Sequence, residues 1–314
     1  MNKKIIMVFS LLLLGNSAVA AEFYVSASGS GNSCLKSKPC SSIQAAINLA
    51  QAGDTVKIGE GTFTENITIA GGKAGLTLKG AGADSTMIVS AGGDVAPKFA
   101  PPGVPVDIVI DIFSSDVTIE KLSTLHPAME ATKRDLGIFV RPPANNVTIK
   151  KCKLVRMRTG TNLEPFMPGS RGILVFRAKG TLIKKNELSG NYEDHLHIPA
   201  SNTRIIKNEV KDATRIGIVI IQENAASDST NNVISKNEVE GSGTDGIQIQ
   251  GDNNIISKNE VEHSGAAGIR LCGAGDCVAP GTVAIASGNQ VRNNELEDNS
   301  AGNLVDNGAG NIID

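Results

Sequence analysis

The sequence predicts an all-β chain wound as a single-domain right-handed parallel β-helix, and three observations predict it. Asn231 to Asp252 (NNVISKNEVEGSGTDGIQIQGD) and Asn253 to Ala274 (NNIISKNEVEHSGAAGIRLCGA) are near-copies offset by 22 residues, a period that marks a solenoid. Each unit holds three short strand-like stretches separated by turns rich in Gly, Asn and Ser. A unit of this length is too short for a helical crossover plus strands, yet it suits one coil with three β faces. Coils of that kind stack about 4.8 Å apart.

Taken in chain order, residues 1–20 read as a signal peptide. Lys3 and Lys4 precede the apolar run Ile5 to Leu14, and Ala18-Val19-Ala20 supplies small residues for cleavage. The run is too short to span a bilayer. A secreted or periplasmic protein, not inserted in a membrane, is expected. Without the leader, 28 basic residues face 32 acidic ones, a balance that argues against nucleic acid as a partner. There is no tryptophan to stack on neutral sugars.

Residues 21–53 should hold a first strand, a disulfide loop and a capping helix, and residues 54–314 the β-helix. In an oxidising compartment the five cysteines suggest two local pairs, Cys34 with Cys40 and Cys272 with Cys277. Cys152 is left over, as a buried thiol. Ser42 to Ala52 reads as a short amphipathic helix over the end of the first coil, protecting the stack from edge-to-edge association. This stretch, SIQAAINLAQAGDTVKIGEGTFTENITI, resembles the opening of pectate-lyase-like β-helix proteins with PbH1-type repeats. The resemblance runs over the chain after the leader at the level of fold, and it implies carbohydrate chemistry.

The anchor of each coil is Lys-Asn-Glu followed by Leu or Val, at Asn186, Asn208, Asn237 and Asn259, with Asn-Asn-Glu-Leu at Asn294. These asparagines should form a ladder of side-chain amides. Cys152 and Leu122 occupy the same place upstream, where apolar stacking takes over. The lysines before the ladder should face Glu187, Glu209, Glu238 and Glu260 across a solvated, charge-balanced edge.

Nine residues past the ladder lies the first strand of the next coil, beginning at Gly137, Gly172, His195, Gly217, Gly246 and Gly268. In relatives that act on polysaccharides, the outer face of that strand forms the substrate groove. Four insertions enter or leave it: between Leu122 and Gly137, between Cys152 and Gly172, before Asn237 and before Asn294. They are expected to wall a groove. Arg134, Arg141, Arg156, Arg158, Arg171, Arg177, Arg215 and Arg270 fall on this strand or its turns. Arginine forms planar two-point bonds to carboxylate or sulfate, which suggests an anionic ligand. The alternative is that these arginines tie the loops down.

All four histidines lie near the same face, and Tyr192-Glu193-Asp194-His195-Leu196-His197 is the densest ionisable cluster. Simple alternation sends His195 and His197 outward. YEDHLH is similar to the YGFDPH-type motif of mannuronan C5-epimerases, with Tyr192 and His197 in matching positions. It departs at the aspartate, where His195 stands and Asp194 comes one residue early. A lyase or C5-epimerase on a uronic-acid polymer needs a cation, a base and an acid. The expected catalytic set is His197 as base, Tyr192 or His195 as acid, and Arg171 or Arg270 neutralising the sugar carboxylate. Asp194, Arg141, Arg177, Arg215 and Gln248 are expected to contact an anionic polysaccharide. No motif calls for a cofactor, and Glu193 with Asp194 are the acids that could hold calcium. A non-catalytic binding or structural module is the alternative. A hydrolase using Asp194 and Asp245 is less favoured. A monomer is expected.

Overall fold

The computed structural model describes residues 19–93, 105–127, 134–157, 169–222, 229–277 and 285–314. Three parallel sheets run along the stack. Among the described residues, sheet 1 has nine strands from Ile67–Ile69 to Leu304–Asp306, sheet 2 has eleven from Glu22–Val25 to Ile312–Ile313, and sheet 3 has nine from Gly61–Thr64 to Glu295–Glu297. Every strand pairs in parallel with its counterpart one coil away, in the register that the repeat dictates: Ile247 with Ile269, Ile234 with Ile256, Val239 with Val261. The chain is a right-handed parallel β-helix, as its repeat predicts. Aliphatic columns from all three sheets fill one continuous core.

The expected ladder is present, and each rung is built alike. Asn237 Oδ1 accepts from Asn208 N at 2.9 Å and Nδ2 at 3.0 Å, while its own Nδ2 donates to Ile205 O at 3.0 Å and Asn259 Oδ1 at 2.9 Å. The ladder ends where expected, with the Cys152 N–H donating to Asn186 Oδ1. The residue before each rung takes a left-handed turn: Lys185, Lys207, Lys236 and Lys258 have φ of 55–58°. A left-handed L-residue costs about 1–2 kcal/mol, which the buried amide bonds of the following rung offset. A second ladder, Asn232, Asn254, Asn289 and Asn311, runs along the turn entering sheet 2. Asn232 and Asn254 are the second residues of the two quoted repeats, whereas Asn289 and Asn311 lie beyond them.

Along the charged edge, Lys153 meets Glu187 and Lys211 meets Glu209, Glu238 and Glu240. These pairs use lysines on the strands of sheet 3 rather than the ladder lysines. The cap is a helix at Ile43–Leu49, with Ile43, Ala46 and Ile47 buried. Ser42 accepts from Ala45 N, and Glu65 accepts from Ile43 N at 2.8 Å and Gln44 N at 3.1 Å, which satisfies the orphan donors of the first turn. Cys34–Cys40 and Cys272–Cys277 are disulfides, and Cys152 is a free, buried thiol. Most of residues 1–20 lie outside the described residues, and no helix among the described residues is long and apolar enough to cross a membrane.

Candidate functional site

The outward column of sheet 1 reads Asp111, Phe139, Leu174, His197, Val219, Gln248, Arg270 on successive strands. From Phe139 on, each of these residues stands two positions after one of the strand starts read from the sequence. Little of the column reaches solvent: Phe139 is fully buried, and Val219, Gln248 and His197 are no more than 5% exposed. Val106, Ile108, Leu136, Phe139 and Leu174 form one small apolar cluster outside the main core, and Ile216, Val219 and Ile221 form another. The four insertions contain 128–133, 158–168, 223–228 and 278–284, which lie outside the described residues, as does Arg158.

Simple alternation fails at the start of each of these strands. Asp194 and His197 share the outer face, with His197 Nδ1 2.8 Å from Asp194 Oδ2. The two residues between them, His195 and Leu196, therefore both point inward. Ile216 and Val219 repeat this pattern one coil on, and Asp245 and Gln248 two coils on. His195, expected outside, is fully buried, its ring edge-on to Tyr192 at 5.8 Å between centroids. Glycine holds this position on both neighbouring coils because space is short. A Cβ on Gly172 would sit 2.6 Å from His195 O, and one on Gly217 would sit 2.5 Å from Val239 Cγ1. Burial pushes the His195 imidazole down to about 4, against smaller opposing effects from the Lys211 and Asp212 backbone and from Asp194.

Tyr192 is likewise inside, packed in the main core. Its hydroxyl lies 3.1 Å from His126 Nδ1, and burial raises the phenol far above its ordinary value. Neither Tyr192 nor His195 can serve as an acid on the outer face, which corrects the sequence expectation. The similarity to the epimerase motif misplaced them because it aligns letters, whereas the double inward step sets direction. His263 is on the surface, close to Glu262 and Asp298.

The arginines are grouped on this side, and Arg171, Arg215, Arg270, Arg141 and Arg156 are each matched by an acid. Arg171 Nη1 is 2.8 Å from Glu193 Oε2, and its Nε is 3.1 Å from Asp194 Oδ2. Arg215 Nε is 2.9 Å from Glu193 Oε1, and its Nη2 is 2.5 Å from Asp194 Oδ2. Arg270 Nε donates to Asp245 Oδ2 at 2.8 Å, and Gln248 Nε2 donates to the same atom at 2.9 Å. Arg141 clamps Asp111 and covers the Phe113 and Phe139 rings. Arg156 Nε donates to Asp135 at 2.6 Å. Arg177 is exposed and lies over Phe176. These acid-matched arginines tie the coils together through carboxylates one coil away, and Arg156 and Arg171 also donate to the backbone carbonyls of Asn191 and Ser170. The face is neutralised rather than cationic, so Arg171 and Arg270 are already engaged before any sugar carboxylate arrives. Two guanidinium groups also hold Glu193 and Asp194, which leaves no calcium-like cage of oxygens there.

Asp194 is the electrostatic centre. Burial alone would raise its carboxyl, but Arg171, the His197 hydrogen bond and Arg215 outweigh it and keep the acid ionised well below its usual range. An ionised aspartate on Nδ1 fixes the imidazole tautomer and stabilises its protonated form. Arg171 and Arg215 keep Asp194 ionised, so it is not the proton donor that a hydrolase would need.

A family model described as right handed beta helix region matches residues 108–241. No curated protein matches the sequence. Among solved structures, an alginate lyase from Paenibacillus is similar at 14% identity and a TM-score of 0.53, over 92% of this chain and 99% of that one. Pectin methylesterase from carrot is similar at 12% identity and a TM-score of 0.55, over 94% and 89%. A lacto-N-biosidase from Eubacterium ramulus is similar at 12% identity and a TM-score of 0.50, over 93% and 68%. At these identities the likeness is one of fold.

Proposed function

We propose that this right-handed parallel β-helix is an exported carbohydrate-active protein that acts on an acidic, uronic-acid polysaccharide by β-elimination or C5 epimerisation at His197. The observation that carries the reading is the 2.8 Å bond from His197 Nδ1 to an ionised Asp194 on the outer face of sheet 1. Asp194 orients the ring so that Nε2 takes the proton from the carbon beside the sugar carboxylate, and the imidazolium formed is stabilised by the same aspartate. Arg171 and Arg215, shared with Glu193 and Asp194, supply positive charge against the developing enolate. In β-elimination, with Tyr192 and His195 inside the coil, His197 itself returns the proton to the leaving oxygen. In epimerisation, water on the opposite face of the sugar protonates C5 and His197 gives its proton up to solvent.

The repeat supplies its own control. Gln248 holds Asp245 as His197 holds Asp194, two coils away in the same column. His197→Gln therefore keeps the hydrogen bond and the fold while removing the base. The assay is the ultraviolet absorbance of the unsaturated uronate on alginate, pectate and glycosaminoglycans, with solvent-proton exchange at C5 followed in parallel. The expected result is turnover on one polymer by the native protein and its loss in His197→Gln. Full activity in the variant would refute the assignment.

The Asp245–Gln248 pair favours a second reading, a non-catalytic polysaccharide-binding module, because glutamine in that place cannot take a proton. Binding to a polymer without absorbance change or proton exchange is its signature.

A further inference from the structure

We propose that Asp107, His126 and Asp135 bind a divalent first-row transition ion, of the zinc class, inside the corner between sheets 3 and 1. Asp107 and Asp135 are partners on the adjacent strands Val106–Ile112 and Arg134–Val140, and His126 ends the strand Ser123–His126 of sheet 3. One ligand atom from each of the three lies within 4.8 Å of the other two. Asp107 and His126 are fully buried, and Asp135 is 5% exposed.

The hydrogen-bond accounting leaves this corner short of a cation. Asp107 Oδ1 accepts from Asn66 Nδ2 at 2.6 Å, and its Oδ2 accepts from Ser90 Oγ. Asp135 Oδ2 takes Arg156 Nε, while its Oδ1 is buried with no hydrogen-bond partner. His126 Nε2 is also buried with no hydrogen-bond partner and lies 3.9 Å from Asp107 Oδ2, beyond hydrogen-bond reach. Tyr192 Oη donates to Val155 O at 3.5 Å, and when it accepts the Nδ1 proton of His126 the Nε2 lone pair is left toward the Asp107 carboxylate. Buried acceptors facing one another are costly. Two carboxylates against Arg156 leave an excess negative charge that a cation would neutralise.

The donor set indicates the class of ion. One neutral imidazole and two carboxylates suit zinc, manganese or ferrous iron, whereas calcium takes six to eight oxygens and copper(I) seeks sulfur. A metal-binding histidine characteristically engages its other nitrogen with an outer partner that fixes the tautomer, and Tyr192 holds that place. The location also explains a use. The asparagine ladder has given way to Cys152 and Leu122 in these coils, so an ion joining sheet 3 to two strands of sheet 1 would replace the missing ties. The proposal is independent of any activity on polysaccharide.

The test is calorimetric titration of the chelator-treated protein with ZnCl2, together with the visible spectrum of its Co2+ form. One equivalent is expected, with d–d bands of a nitrogen–oxygen site and a raised unfolding temperature. His126→Gln should weaken binding by at least tenfold and abolish the bands. Tyr192→Phe, which keeps the core packed, should weaken binding roughly tenfold and decides the matter if His126→Gln does not fold. His263→Ala removes the exposed surface histidine and should change nothing. Absence of stoichiometric binding, or equal affinity in the native protein and Tyr192→Phe, would overturn the proposal. So would loss of the site in His263→Ala.

Discussion

Replacing His195 by leucine should make the protein resist acid better than its parent. In the fold this imidazole is neutral, pushed by burial from an ordinary 6.5 to about 4. In the unfolded chain it takes a proton as soon as pH falls below 6.5. Its folded value is depressed, so its full share of stability is present above pH 6.5 and is lost as pH falls toward 4. At 1.36 kcal/mol per pH unit, that interval amounts to about 3.4 kcal/mol. The variant has no proton to bind, and leucine suits a fully buried site against the Tyr192 ring. Urea unfolding followed by far-ultraviolet circular dichroism at pH 7, 6, 5 and 4 measures the effect. Carboxylates titrate in both proteins, so the difference between the two curves isolates His195. The native protein should lose about 3 kcal/mol more than the variant between pH 7 and pH 4. Parallel curves would show that the ring is not enclosed, and would return His195 to the list of surface acids.

Asn237→Leu removes four amide hydrogen bonds. At about 1 kcal/mol each it should cost about 4 kcal/mol, read from the urea midpoint or from faster amide exchange at Asn208, whose N–H loses its acceptor. Cys152, whose thiol burial pushes up to about 12, should ignore iodoacetamide at pH 8 until the protein is unfolded. Asp194→Asn strips the charge that Arg171 and Arg215 converge on. It should destabilise by about 3–5 kcal/mol in the same unfolding assay, far more than His197→Gln.

Much of the fold is legible in the sequence because a solenoid writes its geometry at a fixed period. The offset between Asn237 and Asn259 is one coil in the chain and one strand spacing in space, so ladder, register and columns follow together. The outward column from Phe139 to Arg270 was readable for the same reason. Direction was harder. Tyr192 and His195 turn inward because two consecutive residues face the core at this corner, and a strict period of two cannot express that. The signal was present in the columns themselves: glycine at Gly172 and Gly217 marks a position without room for an outward reading. Charge was hardest. The arginines cluster as counted, but their acids lie 20 to 30 residues away in sequence, at Asp111, Asp135, Asp194 and Asp245. Only the stacked coils bring them together.

The two near-identical coils show how such a molecule can change. Their inward residues correspond almost letter for letter: Ile234 and Ile256, Val239 and Val261, Ile247 and Ile269, all paired across the sheets. On the outer side, Asp245 faces Ala267 in the equivalent place and Gln248 faces Arg270. Asn259 meets Asn237 on one side and Asn294 on the other through the same bonds, at 2.9–3.0 Å. A coil can therefore be copied or excised whole, because any rung fits any other. Once copied, its interior is fixed by the neighbours above and below, while its exterior can drift. Growth in length and novelty on the surface are separate inheritances in this architecture.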